Sequence, residues 1–187
     1  MPTHVEIYPQ NDLFNLAYYH LRAIDDKESE GNADGLEMDC MACLLALGVT
    51  LEAIINHAAT KAIPDWKAEE PNEGEAKKPN SHYEQKLTAL CEALGIKLNY
   101  GQAPFQSLRE VRKVRNAMAH AFPTIEEKEI KPGRGIESVM ATKWDQYAEP
   151  NKTREIYDGI NTFEKMVYGA LDMQYPPATC ATGWSNN

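Results

Sequence analysis

The sequence predicts an all-α fold, an up-and-down bundle of about five helices in a single domain spanning residues 1–187. Three observations predict it. Apolar residues recur at helical spacing in five separate stretches. Signals for strands are few, and no internal repeat is evident. Glycines and prolines stand where helices need to stop or start. A chain of 187 residues, 43% hydrophobic and 25% charged, is long enough to bury one sizeable core.

The first helix is expected over residues 12–26, capped by Asn11 or Asp12, with Leu13, Leu16, Ala17, His20, Leu21 and Ile24 giving the period. Residues 1–10, with Pro2 and Pro9, are expected to be irregular. A polar stretch over 25–35, with Gly31 and Gly35, reads as a loop. The second helix, over 36–63, is the longest. It is apolar around much of its circumference, which marks a central helix of a bundle, and Pro64 closes it. Residues 65–80 form a charged insertion with Pro71 and Pro79. The third helix is expected over 81–94, where Ser81 and Glu84 have capping-box spacing and Gly95 supplies the stop. The fourth runs over 104–121, with Pro104 suited to a first turn. A Pro- and Gly-containing connection follows over 122–150. Within it, residues 136–144 fit either a short helix or a strand. The fifth helix spans 151–173, where Ile156, Ile160, Phe163, Val167 and Leu171 make one buried face. The core thus extends over about 11–173, and the tail 174–187 is expected to be irregular.

The net charge of −9 argues against a protein that coats nucleic acid by bulk electrostatics, although it leaves room for a local cationic site. The first residues have neither a basic region nor an apolar signal core. The longest uninterrupted apolar run, residues 41–49, falls short of the ~20 residues a membrane span needs. A cytosolic protein without membrane association is the expectation. Four cysteines occur, Cys40, Cys43, Cys91 and Cys180. Cys40 and Cys43 form a Cys-x-x-Cys, but no second pair and no His pair at ligand spacing accompanies them. They also lie within a helical pattern rather than at a helix start, so they read as small buried residues. No metal and no cofactor is expected. His20 and His57 lie on apolar helices and read as satisfied core or interface residues, whereas His4 and His82 look peripheral.

The fourth helix carries the chemistry. On a wheel of about 100° per residue with His120 at zero, Val111, Val114, Met118 and Phe122 cluster roughly 120–200° away, and Arg115 falls at the edge of that face, at about 220°. A guanidinium beside a core is costly unless it meets an anion or several hydrogen bonds. The run Arg115-Asn116-Ala117-Met118-Ala119-His120 thus sets a permanent cation, a carboxamide and an imidazole at one helix end.

This spacing resembles the Arg-x4-6-His motif of the HEPN superfamily, in the form with a small polar residue after the arginine. The segment 108–122 is similar to the family's motif helix. The segment 51–57, with Glu52 and Asn56, is similar to an earlier helix that faces it. The resemblance extends over about residues 11–173. It implies a HEPN-like helical bundle and a metal-independent ribonuclease, with the function of a toxin or phage-defence effector. It also implies a homodimer that pairs its motif helices into a shared cleft. His120 would then be the general acid or base, Arg115 the phosphate clamp and Asn116 a partner of the imidazole or of a phosphate oxygen. Arg109, Arg112 and Lys113 would extend a basic strip for the RNA backbone, and Glu52 would orient Arg115. The chain has no tyrosine soon after His120, so the family's pattern for modification by an antitoxin is not clearly met.

The chemistry of the residues agrees with that reading. RNA supplies its own nucleophile, the 2′-hydroxyl, so cleavage needs proton transfer, which a histidine can perform near neutrality. It also needs charge stabilisation at the non-bridging oxygens, which an arginine can give. The alternative is a non-catalytic module of the same fold that binds a nucleotide or a protein in a defence or regulatory complex. The acidic composition favours that alternative, and an antitoxin or defence partner fits either.

Overall fold

The computed structural model describes residues 9–64, 66, 82–121 and 144–173. Among these residues there are five helices packed together and no strand: α1 (Pro9–Ser29), α2 (Leu36–Ala62), α3 (His82–Ala93), α4 (Phe105–Ala119) and α5 (Pro150–Ala170). The all-α expectation holds. Residues 136–144 fall mostly outside the described residues, as do Cys180, residues 65 and 67–80 of the charged insertion, Ser81 and the tail.

α2 is the axis of the bundle and packs against each of the other four helices. Its sequence explains this. Leu44, Leu47, Leu51, Ile54 and Ile55 are fully buried or nearly so, a spread too wide for one neighbour to cover. α2 also has the length and apolarity of a membrane-crossing helix, with a mean hydropathy of 1.9 in its most apolar window, half of which is buried by the bundle. The run of 41–49 that stood out in the sequence undercounts it, because the helix continues through Thr50 and Glu52 to Ala62.

α1 lies antiparallel along α2. The Cys43 thiol donates to the Ala17 carbonyl at 3.4 Å, and Asp39 receives both His20 Nδ1 at 3.0 Å and Lys27 Nζ at 2.6 Å. Burial works against ionisation of Asp39, but Lys27 and His20 outweigh it and hold the carboxyl below its ordinary value of 3.8. Because the folded value is the lower one, this contribution to stability is present above the ordinary carboxylate range and is lost as pH falls through it. Urea melts at about pH 6 and about pH 3 should therefore show a smaller acid-side loss in Asp39→Asn than in the wild type. An equal loss in both would show that the triad contributes nothing.

α1 begins at Pro9, three residues before the expected start. Proline is at home in a first turn, and the next residue, Gln10, is 1% exposed and donates to the Tyr168 hydroxyl of α5. That tertiary bond holds the turn in place. His57 Nδ1 meets the same hydroxyl at 2.8 Å, so each of the half-buried imidazoles of His57 and His20 has a partner at one ring nitrogen, Tyr168 and Asp39 respectively. The Cys40, Cys43 and Cys91 thiols are free and buried. Burial raises all three above their ordinary value, Cys43 to about 12 and Cys91 to about 11, as expected of packing residues rather than a redox pair.

α4 and α5 close against α2 on its other side. Gly159 lets them approach, since a Cβ there would lie 2.3 Å from Ser107 Cβ. Lys152 Nζ of α5 bonds Glu110 Oε2 of α4 at 2.8 Å. At the start of α5 the Glu149 carboxylate accepts from the backbone N–H groups of Asn151 and Lys152, with Pro150 in the first turn, a complete N-terminal cap. Gly95, at φ +67°, ends α3.

Candidate functional site at the end of α4

The motif is placed by where α4 crosses α2 and where it stops. Leu108, Val111 and Val114 are buried, which fixes the rotation of the helix. Arg115 then falls beside α2, half-buried. Its stem lies against Gly48, where an added Cβ would stand 2.8 Å from Arg115 Cβ and 2.9 Å from its Cγ. A side chain at position 48 would occupy the space that the arginine stem uses.

The guanidinium meets no carboxylate among the described residues. Its bond is from Nη1 to Asn116 Oδ1, at 3.0 Å. A half-desolvated cation with one neutral acceptor retains donors for an anion. Asn116 is therefore engaged by Arg115 rather than by His120. The helix ends at Ala119, and His120 is the first residue beyond it, with its N–H bonded to the Asn116 carbonyl at 3.0 Å and the Ala121 N–H bonded to the Met118 carbonyl at 3.4 Å. The expected helix over 104–121 thus ends earlier. The imidazole is exposed and makes no hydrogen bond among the described residues. Five residues on a helix separate Arg115 and His120 by roughly 140°, so one side chain turns toward α2 and the other toward solvent.

The remaining candidates divide. Arg109 and Lys113 are exposed and free to face a phosphate backbone. Arg112 is not: it bonds Glu84 of α3 and stacks over the Tyr83 ring, 4.4 Å from its centroid. Glu84 also accepts from the Tyr100 hydroxyl. Arg112 thus fastens α3 to α4 through Glu84; the Ser81 half of the expected capping box lies outside the described residues. Glu52 does not bond Arg115 either. Its carboxylate lies 3.5 Å from Lys86 Nζ of α3, because α3 packs along the C-terminal half of α2. What α2 offers Arg115 is Gly48, one turn earlier. The sequence held a signal for this residue, a glycine at the middle of a long apolar helix, where it costs about 1 kcal/mol relative to alanine.

Gly48→Ala is expected to lower stability despite that propensity gain, since overpacking costs about 1–3 kcal/mol and the clashing atoms sit next to the α4 backbone. Gly169→Ala on α5, with nothing within 4 Å, should instead gain up to about 1 kcal/mol. Thermal melts of the two variants check this. A Gly48→Ala variant as stable as Gly169→Ala would show that the contact yields freely.

A depression of 530 Å³ is lined by Glu84, Thr88, Glu92 and Tyr100, and another of 440 Å³ by Leu36, Asp145 and Glu149. Neither includes a motif residue. Among the described residues no three His, Cys, Asp or Glu side chains are grouped where they could hold a metal ion. Comparison with protein-family models, with curated proteins and with solved structures finds no match to this chain.

Proposed function

We propose that this chain is a metal-independent endoribonuclease of HEPN type, acting as a toxin or phage-defence effector through a site shared between two copies paired along α4. The observation that carries the reading is Arg115, half-buried, without a carboxylate among the described residues and bonded at Nη1 to Asn116, five residues before an exposed histidine at the helix end.

His120 takes the proton from a 2′-hydroxyl. The 2′-oxygen attacks the adjacent phosphorus, forming the new P–O bond of a 2′,3′-cyclic phosphate as the bond to the 5′-oxygen breaks. A second histidine returns a proton to that leaving oxygen. Arg115 holds the non-bridging oxygens, where charge develops. One protomer has one such histidine, turned away from its own arginine. A two-fold pairing of α4 supplies the second and lets the arginine of one copy serve the histidine of the other. Arg109 and Lys113 would lie along the RNA, and the phosphates would offset the repulsion between two cationic helices.

A second reading, a non-catalytic nucleotide- or protein-binding module, is favoured by the net charge of −9 and by the commitment of Arg112 to Glu84, which narrows the basic strip. The two are separated by incubating RNA with the protein in EDTA and sizing the protein by sedimentation. Cyclic-phosphate ends from a dimer, lost in His120→Ala and Arg115→Ala, support the nuclease. A folded dimer that binds RNA without cutting it supports the module, and a monomer removes the shared site.

A further inference from the structure

Among the described residues, the six large hydrophobic side chains that are exposed all lie on α1 and α2, and Tyr19 at 70% and Met38 at 65% are the most open. Five of them fall into two stripes, and Tyr18 alone faces another way on α1. Leu16 and Tyr19 are three apart on α1, and Met38, Leu45 and Val49 are seven and four apart on α2, so each set forms one stripe. The stripes adjoin. The Tyr19 ring packs edge-on against the His20 ring, with centroids 5.6 Å apart, and His20 bonds Asp39, the neighbour of Met38 in the chain. Two antiparallel helices thus present one apolar face rich in Tyr, Leu and Met, with no partner among the described residues. Faces of this kind mark interaction sites.

Charge says what fits there. Between residues 9 and 49 eight Asp and Glu stand against two cations, Arg22 and Lys27. Arg154 of α5 takes two of the eight, Asp25 and Glu28. Lys27 is held by Asp39, and Arg22 lies 3.9 Å from Asp26. Asp12, one turn before Leu16, and Glu37, next to Met38, are exposed and meet no cation among the described residues, as do Glu30 and Asp34 in the connecting turn. The apolar face therefore has an acidic rim. A second copy would bring two acidic rims together, which costs affinity. An anionic lipid surface would be repelled in the same way.

We infer that the outer α1–α2 face is a docking surface for a cationic amphipathic helix of a partner protein. The apolar side of that helix would lie along the two stripes, and its Lys and Arg residues would reach Asp12 and Glu37. The surface does not depend on the ribonuclease reading, although Leu45 and Val49 flank Gly48, on which Arg115 rests.

The test uses the full chain and a synthetic Leu/Lys peptide of about five helical turns, its leucines at i, i+3, i+4 and i+7. A scrambled peptide of the same composition and a Leu/Glu peptide with the original spacing are the controls, all at near-physiological salt. Calorimetry should show the Leu/Lys peptide binding at least about tenfold more tightly than either control. Tyr19→Ser combined with Leu45→Ser should remove that advantage with the helical circular dichroism unchanged. Should this double variant fail to fold, Asp12→Asn with Glu37→Gln carries the test, because it keeps the shape and should weaken the same peptide by a similar factor. The inference is overturned if scrambled and patterned peptides bind alike. It is also overturned if the variants leave binding unchanged, or if the Ser variants abolish self-association or vesicle binding of the chain rather than peptide binding.

Discussion

His120→Ala is expected to lower the rate of RNA cleavage by roughly 10²–10⁴-fold, the usual contribution of a positioned acid or base, while leaving thermal stability within about 0.5 kcal/mol of the wild type. The second half of this expectation makes the first informative. His120 is exposed and lies just past the last turn of α4, and its side chain makes no hydrogen bond among the described residues, so its removal costs the fold nothing identifiable. Arg115→Ala should be comparably inactive but less neutral, because its stem packs against Gly48 and its head bonds Asn116. Arg112→Ala separates structure from chemistry further. It breaks the Glu84 bond and the Tyr83 stacking contact and should act through stability. The check is single-turnover cleavage set beside thermal melts. An active His120→Ala variant would leave the motif without its proton carrier.

Phe163→Ala should have the largest effect on the fold, about 3–5 kcal/mol, or roughly 2–4 °C of melting temperature for each kcal/mol in a chain of this size. The ring is fully buried and meets Phe105 of α4 edge-on, with centroids 6.1 Å apart. It lies one turn beyond Gly159, where α5 and Ser107 are already in contact. The helices therefore cannot close further to fill the space left by the ring, and the cavity term stays in full. A chemical melt gives the difference directly, and a loss below about 1 kcal/mol would mean that the junction relaxes.

Much of this was readable before any coordinates, and the residues show why. Helical period is a local property, so Leu44, Leu47, Leu51 and Ile54 announce a buried face wherever the helix ends up. Gly95 stops α3 because its positive φ is a local preference. The ends of α1 and α4 were displaced by interactions that local pattern does not contain. Gln10 is held by a tyrosine 158 positions away, and the last bonds of α4 close at His120. The partners of charged groups were the least legible. Glu52 was expected at Arg115 and meets Lys86, while Arg112 was expected on RNA and meets Glu84 and Tyr83.

By itself the sequence determined the all-helical class, the central position of α2 and the presence of Arg115, Asn116 and His120 at one helix end, because each follows from spacing along a single element. The tertiary structure decided that Gly48 seats Arg115, that Asn116 serves the arginine, that Arg112 is a clamp between helices and that the exposed stripes of Leu16 and Tyr19 on α1 and of Met38, Leu45 and Val49 on α2 adjoin. These depend on which helices meet and at what rotation, and that is set by the packing of the whole core rather than by any one segment.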